Sequence, residues 1–124
     1  MEVRALSRFV RMSPRKLRRV AELIKGERVD RALGILEFTR KAASKALYAT
    51  LKSAASNAIA AEGSAKVKIE NLFISRITID GGPTWKRIRP VGMGRAYLVR
   101  KRTSHIGVTL IEKKPKEAAV VTKK

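Results

Sequence analysis

Ile74-Ser75-Arg76-Ile77-Thr78-Ile79-Asp80-Gly81-Gly82-Pro83-Thr84-Trp85-Lys86-Arg87-Ile88-Arg89-Pro90-Val91-Gly92-Met93-Gly94-Arg95-Ala96-Tyr97-Leu98-Val99-Arg100-Lys101-Arg102-Thr103-Ser104-His105-Ile106 is the stretch whose reading decides the fold. Both ends alternate apolar and polar residues, as half-buried strands do. The middle has no continuous apolar face. From Gly81 to Ile111 there are seven Lys/Arg, at 86, 87, 89, 95, 100, 101 and 102, and no acid. Soluble faces normally mix both signs. A strand pair with this charge is not a core hairpin, and it calls for a polyanionic partner.

Two pairings compete. Asp80-Gly81-Gly82-Pro83 has the composition of a tight turn, which would pair 72–79 with about 84–91. The alternative places the turn at Pro90–Gly94 and pairs Ile77 with the neighbourhood of Ile106. Gly81-Gly82-Pro83 then becomes a bulge or bend. Some fourteen residues per strand at about 3.3 Å each give an arm on the order of 45 Å. A globule of this size has a radius of gyration of only about 13 Å, so that arm projects. The lack of a buriable face over residues 84–100 favours the long arm.

The rest of the chain reads as a small body. Glu2 to Arg11 alternates, with Val3, Ala5, Ser7 and Phe9 on one side, and is expected to be a strand. Ser13-Pro14 supplies an N-cap hydroxyl and a proline at the first helical position. The helix is expected to run to about Lys25 on the stripe Leu17, Val20, Ala21, Ile24, with Gly26 stopping it. Val29, Ala32, Leu33 and Leu36 predict a second helix over 29–38. Thr39 is the expected N-cap of a third helix, Arg40 to about Glu62, ended by Gly63. Nine alanines between 40 and 62 favour helix. Its inward stripe is Ala43, Leu47, Leu51 (or Thr50), Ala54 and Ala58, and Lys41, Lys45 and Lys52 keep the other side wet. Lys66-Val67-Lys68-Ile69 alternates briefly. The tail 112–124 has Pro115, five lysines and no period, and is expected to be a frayed cationic end. The fold class is therefore α+β: three helices packed on a small antiparallel sheet, with a long projecting β-hairpin. The domain is 1–111, including an arm at about 77–106.

Totals narrow the function. Twenty-nine Lys+Arg against ten Asp+Glu give a formal charge of +19 over 124 residues. Such self-repulsion disfavours compaction unless a polyanion offsets it, and nucleic acid is the foremost candidate. There is no cysteine, so disulfides and thiolate metal sites are excluded. No uninterrupted apolar run suits a signal peptide or a membrane span. The expectation is a soluble cytoplasmic protein with no cofactor, no metal site and no membrane contact, monomeric when free.

Candidate contacts fall into three groups. Arg8, Arg11, Arg15, Lys16, Arg18 and Arg19 surround the strand-to-helix corner, where free helix N–H groups also suit a phosphate. Lys86, Arg87, Arg89, Arg95, Arg100, Lys101, Arg102 and His105 line the arm. His105 is the sole histidine and has no second histidine, cysteine or positioned carboxylate near it in sequence, which argues against a catalytic base. Gly92-Met93-Gly94 lacks the Gly-Lys-Ser/Thr of a phosphate loop and reads as a turn. Trp85 and Tyr97 either stack on bases or pair across the arm. No carboxylates cluster in the basic segments for metal-assisted hydrolysis. An architectural DNA-bending protein, inserting Pro90 between base steps, is the alternative to RNA binding.

Five separated motifs then resemble one family in order over about residues 1–111. They are Arg11-Met12-Ser13-Pro14-Arg15-Lys16, Lys52-Ser53-Ala54-Ala55-Ser56-Asn57-Ala58, Gly82-Pro83-Thr84-Trp85-Lys86-Arg87, Gly94-Arg95-Ala96 and Lys101-Arg102-Thr103-Ser104-His105-Ile106. The family is the ribosomal protein L-twenty-two family of the large subunit, in its bacterial type. The resemblance implies a small body on the subunit surface and a hairpin threading between ribosomal RNA helices. It implies that Lys86, Arg87, Arg95, Lys101, Arg102 and His105, with Arg11, Arg15 and Lys16, contact large-subunit rRNA. It implies a tip, Pro90, Val91, Gly92, Met93 and Gly94, lining the polypeptide exit tunnel, where a nascent chain passes. Neighbouring large-subunit proteins are implied partners. Two positions depart from the family pattern: Gly81 stands where an acid is usual, and Val91 where an arginine is usual.

Overall fold

Alternation in three segments of the chain produces a single antiparallel sheet. The computed structural model describes residues 2–62 and 69–112. Its strands are β1 (Glu2–Val10), β2 (Leu72–Val91) and β3 (Arg95–Glu112), in the order β1-β3-β2. Three helices, α1 (Pro14–Ala21), α2 (Val29–Phe38) and α3 (Ala42–Glu62), pack on one face. The architecture is the α+β fold expected, with β2 and β3 continuing past the body as the long hairpin.

The core forms because cross-strand neighbours on the helix face are apolar pairs. Ile74 lies opposite Leu110, Ile77 opposite Val108 and Ile79 opposite Ile106. The spacing of three and then two works because Ser75 is an extra residue between Ile74 and Arg76, which restores the pleat. Against this face α3 sets Leu47, Leu51, Ala54 and Ala58, all fully buried. Its alanines let the helix lie close to β1 and β3, and each buried leucine contributes about 1.5–3 kcal/mol. The predicted stripe of α3 is the observed one, and Thr50 is buried with it. The Thr50 and Ser7 hydroxyls satisfy each other at 2.7 Å.

Several boundaries differ from expectation. The first helix ends at Ala21, not near Lys25. The next N–H groups bond three residues back, Leu23 to Val20 and Ile24 to Ala21. This tighter winding still delivers Ile24 to the core, fully buried. Gly26, at φ +77°, closes that turn and not the helix itself. Ser13 occupies the N-cap in an extended conformation, but its side chain makes no cap hydrogen bond. Thr39 does not start the third helix. Its hydroxyl donates back to the Ile35 carbonyl at 2.6 Å, so it closes α2, and α3 begins at Ala42. Ser44 supports that start by donating to the carbonyls of Thr39 and Lys41.

The alternation predicts Phe9 on the same side of β1 as Val3, Ala5 and Ser7, and Val10 on the other. A bulge reverses it. Ser7 pairs with Ile106 and Val10 with Ser104, so Arg8 and Phe9 together oppose His105. Phe9 takes φ +58° and turns outward, while Val10 packs on the core. Residues 66–68 of the expected alternation, the Gly63 stop and the tail beyond Glu112 lie outside the described residues, and Ile69 opens a short 3-10 helix, Ile69–Asn71, instead of continuing a strand.

Candidate nucleic-acid interface

The arm begins where the body stops covering the sheet. Gly81 pairs with Ser104 and Thr84 with Arg102, so Gly82 and Pro83 together oppose Thr103. Past this bulge, pairing runs without a break from Thr84–Arg102 to Val91–Arg95. Every residue from Pro83 to Leu98 is exposed. The eight paired residues of each strand beyond the bulge extend about 26 Å. The turn is therefore at the far end, and the compact hairpin about Asp80–Pro83 does not form. Pro83 and Pro90 are accommodated because β2 is an edge strand.

Three consecutive residues of β3 hold the arm's root. Each bonds a backbone group that a bulge or corner leaves without a sheet partner. The Thr103 hydroxyl donates to the Pro83 carbonyl at 2.7 Å. The Ser104 hydroxyl donates to the Met12 carbonyl at 2.6 Å. The Phe9 N–H donates to Nδ1 of His105 at 3.1 Å. His105 thus accepts at Nδ1, and its ring meets Phe9 edge to face at 5.0 Å between centroids. Its observed work is to hold the β1 bulge. Gly82 has no room for a side chain. A Cβ there would lie 2.6 Å from the Thr103 Oγ1 and 3.1 Å from the His105 Nε2.

The register also assigns the arm's two faces. Residues directly opposite one another point the same way. One face presents Trp85, Arg87, Arg89, Val91, Arg95, Tyr97, Val99 and Lys101. The other presents Thr84, Lys86, Ile88, Pro90, Ala96, Leu98, Arg100 and Arg102. Toward the tip the first face stays cationic, through Arg89 and Arg95. The second becomes apolar, with Ile88 opposite Leu98 and Pro90 opposite Ala96. Trp85 lies opposite Lys101, and Tyr97 opposite Arg89, so the two aromatics do not pair with each other. Trp85 instead meets two guanidinium groups, Arg87 at 5.6 Å and Arg11 at 5.5 Å from its ring centroid. Such contacts contribute about 0.5–1 kcal/mol at exposed sites. Arg11 sits just beyond β1, so this contact ties the corner to the shaft.

The turn itself is Gly92-Met93-Gly94, with Pro90 and Val91 still in the strand. Met93 and Gly94 take left-handed φ values of +63° and +71°. Met93 is fully exposed.

The corner cations divide by role. Arg15 and Lys16 are exposed in the first turn of α1, and Arg19 is exposed in its last turn. Arg18 donates to the Ile79 carbonyl at 2.8 Å, which fixes α1 to β2 and leaves four of its five N–H groups for other partners. Arg8 lies over the Phe9 ring at 5.2 Å. A recess of about 500 Å³ between α1 and the start of α3 joins Arg11, Lys16 and Arg19 with Lys41. By helical spacing Lys41 belongs to the solvated face of the expected third helix. No local pattern could have placed it here, because packing of α3 on α1 brings it in. Among the described residues the ion pairs are Arg4–Glu2, Arg28–Asp30 and Arg31–Glu27. None involves a corner or arm candidate. No group of three His, Cys, Asp or Glu lies together among the described residues, and no helix is long and apolar enough to cross a membrane.

Residues 5–111 match the profile of the family described as Ribosomal protein L22p/L17e. The chain is 50% identical over 112 residues to Large ribosomal subunit protein uL22 of Maridesulfovibrio salexigens, covering 90% of this chain and 99% of that protein. It is 47% identical over 114 residues to the protein of the same name from Halothermothrix orenii, covering 92% and 98%. The Myxococcus xanthus protein of that name is 46% identical over 114 residues, covering 92% and 99%.

Proposed function

The chain belongs to the ribosomal protein L22p/L17e family, and from that premise we propose how it serves the large ribosomal subunit. The family is structural and not enzymatic. The place of work is the large subunit of the cytoplasmic ribosome, where neighbouring subunit proteins and rRNA surround the chain. Residues 1–111 act as one RNA-binding unit of body and arm. The corner cations and the shaft, Lys86, Arg87, Arg89, Arg95, Arg100, Lys101 and Arg102, neutralise rRNA phosphates. Affinity comes from displaced counterions, and specificity from the fit of a rigidly rooted arm to folded RNA. A neutralised seam between RNA helices lets them approach, which is an assembly role. The tip, uncharged from Pro90 to Gly94, borders the exit tunnel and meets the nascent chain.

One observation carries this reading. An acid-free hairpin projects from the body with both faces exposed, and none of its cations is in an ion pair among the described residues. A free protein gains nothing from such an element, because an isolated two-stranded ribbon is marginal in water. Its cost is offset by contacts outside the chain. The test is affinity for large-subunit rRNA as a function of salt. Six to ten phosphate contacts predict a loss of about 10³–10⁵ between 50 and 200 mM. A flat response, or a sedimenting dimer that prefers duplex DNA, overturns the reading.

A further inference from the structure

Met93 stands at the far end of the arm with its whole side chain in solvent. It is the middle residue of the turn Gly92-Met93-Gly94, beyond the last strand pair, Val91 and Arg95. Its φ of +63° is left-handed, where glycine or asparagine is usual and a long side chain is uncommon. No residue from 80 to 105 belongs to the apolar core or packs on it. Neither the turn nor the core therefore calls for methionine here. We propose that Met93 is a site of oxidative modification, at which a peroxide converts the thioether to a sulfoxide and changes the chemistry of the arm's tip. The proposal goes beyond the functional reading above and does not depend on it, since it concerns the chain itself.

The sulfur inventory singles this residue out. The chain has no cysteine and three methionines, so thioethers are its only sulfurs. Met1 lies outside the described residues. Met12 is part-buried and packs against the core, and its carbonyl accepts the Ser104 hydroxyl. An oxidant reaches the Met12 sulfur freely only when that corner opens. Met93 needs no opening. Its sulfur attacks one oxygen of hydrogen peroxide, the O–O bond breaks and an S–O bond forms. The departing hydroxide takes the proton from the transferred oxygen and leaves as water. Sulfur loses two electrons and the peroxide gains them. Thiol-dependent reductases return the sulfoxide to the thioether, two thiols giving one disulfide and one water. With no cysteine in the chain, those thiols are external.

The change is large for this position. Pro90, Val91, Gly92, Met93 and Gly94 have no polar side chain among them. Oxidation gives that tip its one strong side-chain hydrogen-bond acceptor and makes an apolar group polar and chiral. The body is not disturbed, because the paired strands from Thr84–Arg102 to Val91–Arg95 hold the tip about 26 Å from the root. Oxidation should therefore be felt at the tip and not in the fold.

The full chain is treated with hydrogen peroxide, quenched at intervals and digested with trypsin. Peptides 1–4, 12–15 and 88–95 separate the three methionines for mass spectrometry. Oxygen should enter peptide 88–95 at least ~10-fold faster than peptide 12–15, because susceptibility follows exposure. In guanidinium the two peptides should react alike, and Met93→Leu should remove the fast phase. With peptide 88–95 oxidised and peptide 12–15 intact, the Tm by circular dichroism should be unchanged. Equal rates for Met12 and Met93 in the folded chain overturn the proposal, as does a fall in Tm when only peptide 88–95 carries oxygen. The same treatment of intact large subunits tests the tunnel reading separately. Fast oxidation of Met93 there supports a tip open to a water-filled passage. Protection there, with fast oxidation of the free chain, overturns the tunnel reading and leaves this site standing.

Discussion

Adding one methyl group at two glycines of the arm should have opposite consequences. At Gly82 the new Cβ would lie 2.6 Å from Thr103 Oγ1, in the space that hydroxyl uses to reach the Pro83 carbonyl. Thr103 is buried, so it cannot simply swing into water. Rotating it forfeits the bond and leaves the Pro83 carbonyl short of a partner, at about 1–3 kcal/mol. Displacing the backbone instead disturbs His105, 3.1 Å away on the other side, an overpacking cost of about 1–3 kcal/mol. Gly82→Ala should therefore lose about 1–3 kcal/mol by whichever route is cheaper. For a chain of this length that is a fall of roughly 4–12 °C in Tm. At Gly92 a Cβ meets nothing within 4 Å, so Gly92→Ala should stay within about 0.5 kcal/mol of the natural chain. Urea unfolding followed by far-ultraviolet circular dichroism gives the global value. Trp85, the sole tryptophan, reports the arm's root by fluorescence two residues beyond the bulge. If Gly82→Ala matches the natural chain in both signals, the root is not the tight junction described. If Gly92→Ala is as costly as Gly82→Ala, the arm's tip is packed and not free.

Other perturbations test separate links. Ser104→Ala removes the donor to the Met12 carbonyl from a fully buried position and should cost about 1–3 kcal/mol in urea unfolding; no change would mean Met12 finds another donor. Leu51→Ala empties a fully buried site between α3 and the sheet and should cost about 2–5 kcal/mol. Replacing Lys86–Arg100 by an Asn-Gly turn should leave the Tm of the body nearly unchanged, since no residue of the core lies there. The same deletion should lower rRNA affinity and flatten its salt dependence, because it removes Lys86, Arg87, Arg89, Arg95 and Arg100. Collapse of the body on this deletion would show that the hairpin is part of the core.

Much of this protein is determined locally. The α3 stripe of Ala43, Leu47, Leu51, Ala54 and Ala58 is legible because helical periodicity is a short-range property, and the stripe is buried as the spacing predicts. The acid-free run from Gly81 to Ile111 is equally local, and it alone argues for a charged hairpin standing outside the core. Three bulges were not foreseen in full, because a bulge depends on what lies opposite. Asp80-Gly81-Gly82-Pro83 is equally good as a turn or as a bulge until Thr103 is there to receive Pro83. Nothing near Phe9 announces that it turns outward; His105, ninety-six positions away, accepts its N–H and settles the matter. Thr39 shows the same limit on a shorter scale, since its hydroxyl could cap forward or close backward, and only the path from α2 to α3 decided which. Charge was written in the sequence as a list of cations. Their meeting, Arg15 and Arg18 with Arg102, or Lys41 with Arg11, came from packing of elements far apart in the chain, where long-range contact and not residue type sets the distance.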